Sequence, residues 1–361
     1  MSSILSISSQ AGQYSVPIEE FGEYVSSVFL DERVGRKFRF LIRDKSIEKK
    51  NSVLPDFKIG DHKKVLFTKE NPMPNTEERM ATFNECALPI SISTANDAIN
   101  KANIAARDIT HIITVTCTGL SAPGLEIKLI EALDLNNDVQ RHAINFMGCY
   151  AAFHAFRLAD MIVKLDPNAK VLILTVELCS LHFRIDGNDD NLLSTYLFAD
   201  GVAACIVGVS NHGNQLKLVD FHSVLVPEGM NDMAWEVGNN GFEMVLNKNV
   251  PIYLKQKMKT VFDSFLGKNS LKSGEITEYA IHPGGKNILK AFQEALEINE
   301  SILARSYEIL RDNGNMSSST ILFVLEKYLY DSDVADDTLI YSAAFGPGLT
   351  VENGLMQKKI N

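Results

Sequence analysis

The sequence predicts a layered α/β fold built from a duplicated βαβαβ unit, and three observations lead there. Helical and strand patterns alternate from residue 87 onward. The strand-like runs are too uniformly apolar to leave one face in water. Elements of the first half recur in the second, in the same order and at one constant offset.

Taken in order, residues 1–80 read as polar and broken, with a basic segment RVGRKFRFLIRDKSIEKK. ALPISISTANDAINKANI, from Ala87 to Ile104, has helical character. It ends before ITHIITVTCT, where β-branched residues alternate with period two, the pattern of a buried strand. GLEIKLIEALDL is helical and RHAINFM a strand; CYAAFHAFRLADMIVKL is a helix apolar on nearly every face, and AKVLILTVEL a strand covered on both sides. The plan then restarts. Ile276-Thr277 of EITEYAIH answers Ile109-Thr110, Met316 of GNMSSS answers Cys149, and Thr338 of TLIY answers Val171. The two units, 1–215 and 216–361, meet near residue 215, and a site between them would draw on the ends of equivalent elements.

Composition narrows the function. Against 35 basic residues stand 45 acidic ones, a net charge of -10, so the overall field repels phosphate backbones and anionic membranes. Neither a nucleic-acid partner nor a membrane is expected. MSSILSISSQ has no basic region before an apolar run, and no stretch of about 18 apolar residues exists, so a cytoplasmic protein is expected. Five cysteines without a C-x-x-C spacing argue against a disulfide framework and against zinc, and no metal is expected.

Cys149 follows Gly148 at the turn from INFM into an apolar helix. Unpaired backbone N–H groups at such a helix start favour a thiolate, although an isolated cysteine in a core is more commonly inert. His282 ends the strand EYAI before Pro-Gly-Gly, which stops the strand sharply and leaves room for a ligand. Asn315 occupies the turn before the second-half counterpart of the Cys149 helix. The duplication thus brings a thiol, an imidazole and an amide to matched ends of neighbouring elements, where a base and an orienting group can reach a nucleophile.

The strings NFMGCYAA, YAIHPGGKNIL, GNMSSSTILFVL and AAFGPGLTVE, with LFADGVAACIVG between them, resemble the type III polyketide synthases, the chalcone-synthase-like branch of the thiolase superfamily. The likeness runs from about residue 15 to the C-terminus. It implies a five-layer α-β-α-β-α fold, a homodimer, and Cys149, His282 and Asn315 as the catalytic triad. It further implies iterative decarboxylative condensation: a starter acyl group from acyl-CoA, or one derived from malonyl-CoA itself, sits on Cys149, held as a thiolate beside a His282 imidazolium. Malonyl-CoA then loses carbon dioxide and extends the chain, which cyclises to a pyrone, resorcinol or phloroglucinol. No cofactor beyond the CoA thioesters is implied.

By the same resemblance Phe198 and Met244 gate the tunnel, and Cys117, Glu177, Cys179, His182 and Ser317 line the pocket. Lys37, Arg39, Arg43 and Lys45 of the basic segment hold the CoA phosphates. Met244 falls where plant chalcone synthases have Phe, and Cys117, Cys179 and His182 where Thr is common. These departures point away from a chalcone product and toward an aliphatic starter in a narrow tunnel, with His182 adding a titrating donor. The rival enzyme is a ketoacyl-carrier-protein synthase of the initiation type. A catalytically inactive scaffold on the same fold is the rival of another class.

Overall fold

The computed structural model describes residues 1–29, 31–60, 63–185 and 187–360. Its strands are β1 (Ser3–Ala11), β2 (Tyr14–Pro17), β3 (Lys49–Ser52), β4 (His111–Thr116), β5 (Gln140–Asn145), β6 (Val171–Leu178), β7 (Asp200–Gly208), β8 (Asn214–Leu225), β9 (Met233–Gly238), β10 (Gly241–Leu246), β11 (Glu278–Ile281), β12 (Leu339–Gly346) and β13 (Thr350–Ile360). The helices are α1 (Ile18–Val28), α2 (Glu32–Leu41), α3 (Thr76–Lys101), α4 (Leu125–Ala132), α5 (Ala151–Leu165), α6 (Asp189–Leu197), α7 (Val250–Lys268), α8 (Lys286–Leu296), α9 (Ala304–Asn313) and α10 (Thr320–Tyr330).

Nine strands join in the order β11-β12-β13-β8-β1-β7-β6-β4-β5. The pairing repeats about the middle. β4 runs parallel to β6, which is antiparallel to β7, which is antiparallel to β1. Likewise β11 runs parallel to β12, which is antiparallel to β13, which is antiparallel to β8. Only Ser3 and Ile4 of β1 pair with β8, so the halves touch along a short seam.

Layering follows from which faces are apolar. α5 packs on β4, β6 and β7 and also on β8 and β13, while α10 packs on β1, β7, β8 and β11, so these two helices lie between the halves. α3 covers β1, β6 and β7 from outside, and Phe262 of α7 and Phe292 of α8 cover Tyr341 of β12 on the far side. The result is the thiolase-like five-layer order. The unbroken apolar run of β6 is thereby explained: Val171 and Ile173 join the inner core, and Leu172, Leu174, Val176 and Leu178 the outer one. Each such leucine, fully buried, contributes ~1.5–3 kcal/mol.

Two sequence expectations need correction. Residues 1–80 are not merely polar and broken, since β1 lies at the centre of the sheet with Ile4 and Ile7 in the inner core. Its serines hide it, because their hydroxyls are satisfied by α3: Ser6 donates to the Ala98 carbonyl at 2.7 Å and Ser8 to Asp97 at 2.6 Å. The helix expected from Ala87 begins at Thr76. Asn75 and Glu78 form a reciprocal capping box there, and the helix runs through Pro89, which in sequence marks a boundary.

Candidate active site

The ends of β4, β11 and α6 and the turns before α5 and α10 enclose a cavity of about 700 Å³. Cys149, His282 and Asn315 all line it. Cys149 sits two residues before α5, in a turn that requires Gly148. There φ is +80°, and a Cβ would lie 2.6 Å from Cδ of Pro347. The AAFGPG string thus forms the wall behind the cysteine.

His282 continues β11 by one residue, its N–H donating to the Ala343 carbonyl at 2.8 Å. Its ring is completely buried, and among the described residues neither Nδ1 nor Nε2 has a hydrogen-bond partner. Asn315 is held by backbone on both sides, donating to Leu197 O at 2.9 Å and accepting from Ala199 N at 2.8 Å. Its side-chain Oδ1 accepts from Ser317 N at 2.9 Å, and Nδ2 donates to Gly284 O at 3.2 Å. Gly284 is the link to the histidine, since a Cβ there would lie 3.7 Å from His282 Nε2.

The expected lowering of the Cys149 pKa is not found. Burial pushes the thiol up to about 12, against the pull of the Ser317 and Asn315 side chains, and burial pushes the His282 imidazole down to about 3. Burial thus disfavours the charged form of each group.

Phe198, Met244, Cys117, Cys179, His182 and Ser317 line the same cavity. Glu177 does not, and lies behind the wall. Its carboxylate accepts from Cys117 N at 3.1 Å, Cys117 Sγ at 3.3 Å, Thr118 Oγ1 at 3.1 Å and the Ser318 hydroxyl. Burial raises its pKa to about 7.

The expectation that His182 offers a titrating donor is also overturned. Its Nδ1 accepts from Phe242 N at 3.0 Å and its Nε2 faces the Thr118 carbonyl at 2.8 Å, which assigns the neutral tautomer. The ring stacks on Phe242 at 4.1 Å, and burial pushes its pKa down to about 3. It is a wall, not a switch.

Of the four cations expected to hold phosphates, Arg43 alone lines the cavity. Lys37 is exposed and pairs with Asp189 at 2.8 Å, and Arg39 on α2 and Lys45 in the turn beyond it are exposed outside the lining. Lys248, Lys286 and Lys290 line it instead. Sequence reasoning missed them, although Lys286 and Lys290 stand one turn apart directly after HPGG. It also missed Phe242 and Trp235, whose indole donates to the Cys117 carbonyl at 2.6 Å. Among the described residues no cluster of His, Cys, Asp or Glu is arranged to hold a metal ion, and no helix is long and apolar enough to cross a membrane.

Residues 2–211 match the family of chalcone and stilbene synthase N-terminal domains, and residues 217–360 that of the C-terminal domains. The chain belongs to this family, the type III polyketide synthases, and carries their thiolase-like fold. Among individual relatives, it is 32% identical over 284 residues to the alpha-pyrone synthesis polyketide synthase-like Pks18 of Mycobacterium tuberculosis, covering 77% of this chain and 72% of that one. Polyketide synthase 37 of Dictyostelium discoideum is 31% identical over 85% of this chain. The chain spans 8% and 11% of the length of two Dictyostelium polyketide synthases it matches. The crystal structure of PKS-I from the brown alga Ectocarpus siliculosus superposes with a TM-score of 0.92 at 27% identity, covering 99% of this chain and 98% of that one.

Proposed function

We propose that this protein condenses malonyl-CoA, with loss of carbon dioxide, onto an acyl group carried by Cys149, with His282 and Asn315 as its catalytic partners. The observation that carries the reading is His282: a fully buried imidazole with two unpartnered nitrogens, facing a cavity it shares with a thiol and an amide. An orphaned buried polar group is costly unless a ligand completes it.

In the first step the neutral imidazole takes the thiol proton as the sulfur attacks the starter thioester. The proton passes to the departing CoA thiolate, leaving acyl-Cys149 and free CoA. In the second step the N–H groups of His282 and Asn315 face the carbonyl of malonyl-CoA, and loss of carbon dioxide leaves an enolate whose oxygen they stabilise. Its carbon attacks the acyl thioester, the new C–C bond forms, and the Cys149 thiolate departs; because its own proton left with the starter's CoA, the thiolate is reprotonated by one taken up from solvent. The extended β-ketoacyl-CoA reloads Cys149.

Unit 1–215 supplies the nucleophile and unit 216–361 the His and Asn. The cations at the cavity mouth, Arg43, Lys248, Lys286 and Lys290, hold the CoA phosphates. The soft, largely apolar wall of Met244, Cys117 and Cys179 supports a medium-to-long aliphatic starter and a pyrone, resorcinol or phloroglucinol product. The outer edge of β5, unpaired in one copy of the chain, supports a homodimer.

Product mass spectrometry with malonyl-CoA and C2 to C16 acyl-CoAs tests the reading, together with Cys149→Ala. That variant should lose all extension yet keep part of the carbon dioxide release, because the two N–H donors do not depend on the sulfur. Extension at the wild-type rate by Cys149→Ala would refute the covalent route. Activity only with acyl groups on a carrier protein would favour the ketosynthase class, and no turnover of any thioester the scaffold.

A further inference from the structure

Lys50 is a cation with 3% exposure on the wall of the cavity, and the chemistry above gives it no task. It belongs to β3, and its Nζ donates to the Thr195 carbonyl at 2.6 Å and to the Phe198 carbonyl. These carbonyls belong to the last turn and the C-cap of α6, where helical partners run out and a positive charge is favoured. On its other side lies the face of Phe21, 5.0 Å from Nζ. Among the described residues no carboxylate is within ion-pair distance of it, so its direct contacts are carbonyl dipoles and a ring.

The segment that Lys50 grips has a second attachment. Phe198 forms an isolated parallel bridge with Asn315, through the Leu197 carbonyl and the Ala199 amide on either side of it. Three consecutive residues thus carry the Phe198 ring toward the cavity, hold the backbone of Asn315, and end on the ammonium of Lys50. We propose that Lys50 is a positioning residue: by clamping the end of α6 it sets both the Phe198 ring and the Asn315 amide in the cavity. It touches no reacting atom, and the assignment rests on the function proposed above.

The clamp is sensitive to protonation. Burial pushes the ammonium down to about 8, with Asp200 and Cys179 opposing. Asp200 faces it from β7 and is itself bound by Ser180 and Val53. Cys179 faces it from the turn after β6, its thiol raised by burial. α6 contributes the two carbonyls and α1 the Phe21 ring. Arg311 and Asp312 of α9 pair with each other beside the neighbouring residues of β3. Loss of the proton leaves a neutral amine with a weaker hold on both carbonyls, so condensation slows as pH rises through about 8.

Lys50→Met keeps the stem and removes the charge, whereas Lys50→Arg keeps a charge far above that pH. Condensation kcat and the KM for malonyl-CoA are measured from pH 6 to 9.5, with thermal unfolding followed from pH 6 to 11. For Lys50→Met we expect kcat to fall tenfold or more, KM to stay within twofold, and the alkaline decline to vanish. Lys50→Arg should move the decline upward.

The unfolding curve reads the same group without catalysis. Its folded pKa lies below the unfolded one, so its contribution to stability is present above 10.5 and lost as pH falls through about 8 in the wild type, and Lys50→Met flattens that window. A folded Lys50→Met with wild-type kcat, or an alkaline decline unmoved in Lys50→Arg, overturns the assignment, the latter even if Lys50→Met fails to fold. A wild-type protein that releases no carbon dioxide from malonyl-CoA overturns the proposed function instead.

Discussion

Replacing Gly148 by Ala tests how tightly the nucleophile turn is held. At φ +80° an L side chain strains the backbone by ~1–2 kcal/mol. The new methyl would also lie 2.6 Å from Cδ and 3.0 Å from Cγ of Pro347, an overlap worth a further ~1–3 kcal/mol. Gly213 separates the two costs. Its φ is +78°, but nothing lies within 4 Å of a Cβ there, so Gly213→Ala carries backbone strain alone.

For a chain of this length each kcal/mol shifts Tm by about 1.3 °C, from an unfolding entropy of ~2.1 cal/mol/K per residue. Gly213→Ala should therefore lower Tm by about 1–3 °C, and Gly148→Ala by about 3–7 °C. The functional contrast should be larger. Relief of the overlap moves either Cys149 or Pro347, and a displacement of about 1 Å at a reacting group costs ~10²-fold in rate. Differential scanning fluorimetry and condensation kcat on both variants measure the two effects. If Gly148→Ala lost no more of either than Gly213→Ala, the account of the turn as a close-packed seat for the nucleophile would be wrong.

Exchanging both Lys286 and Lys290 for Ala should raise the KM for malonyl-CoA roughly tenfold, about 1.4 kcal/mol, with little change in kcat. The same exchange at Lys37 and Lys45 should leave KM near wild type, and the reverse pattern would return the phosphates to the basic segment. Met244→Phe puts a ring into the cavity wall and should shorten the longest starter accepted, as read from product masses. An unchanged chain-length preference would remove Met244 from the pocket account. Glu177 titrates with a folded pKa of about 7, above its unfolded value, so its contribution is fully present below about pH 4.5 and lost as pH rises through 7. Glu177→Gln should flatten that part of the stability curve, worth about 3 kcal/mol, and a persistent slope in urea unfolding between pH 5 and 8 would assign it to other groups.

What the chain states locally is considerable. Hydrophobic period marked β4, and run length marked β6 and α5, because burial on both faces leaves an unbroken apolar string that needs no knowledge of its neighbours. The recurrence at one constant offset pointed to a duplicated unit, which the strand order bears out. Glycine and proline beside Cys149 and His282 drew the eye to turns where backbone geometry is special.

Other features were decided by distant partners. β1 looks polar until α3 satisfies its serines, and α3 looks interrupted at Pro89 until capping at Asn75 carries it through. His182 promised a titrating donor, but backbone groups at Thr118 and Phe242 consume both its nitrogens. A helix start argued for a thiolate at Cys149, whereas desolvation by a cavity assembled from both halves acts in the opposite direction. Hydrophobic patterning is a property of a segment, whereas electrostatics and hydrogen-bond satisfaction belong to a neighbourhood. Lys50, Phe198 and Asn315 stand far apart along the chain, on β3, at the end of α6 and before α10, and only folding brings them into one neighbourhood.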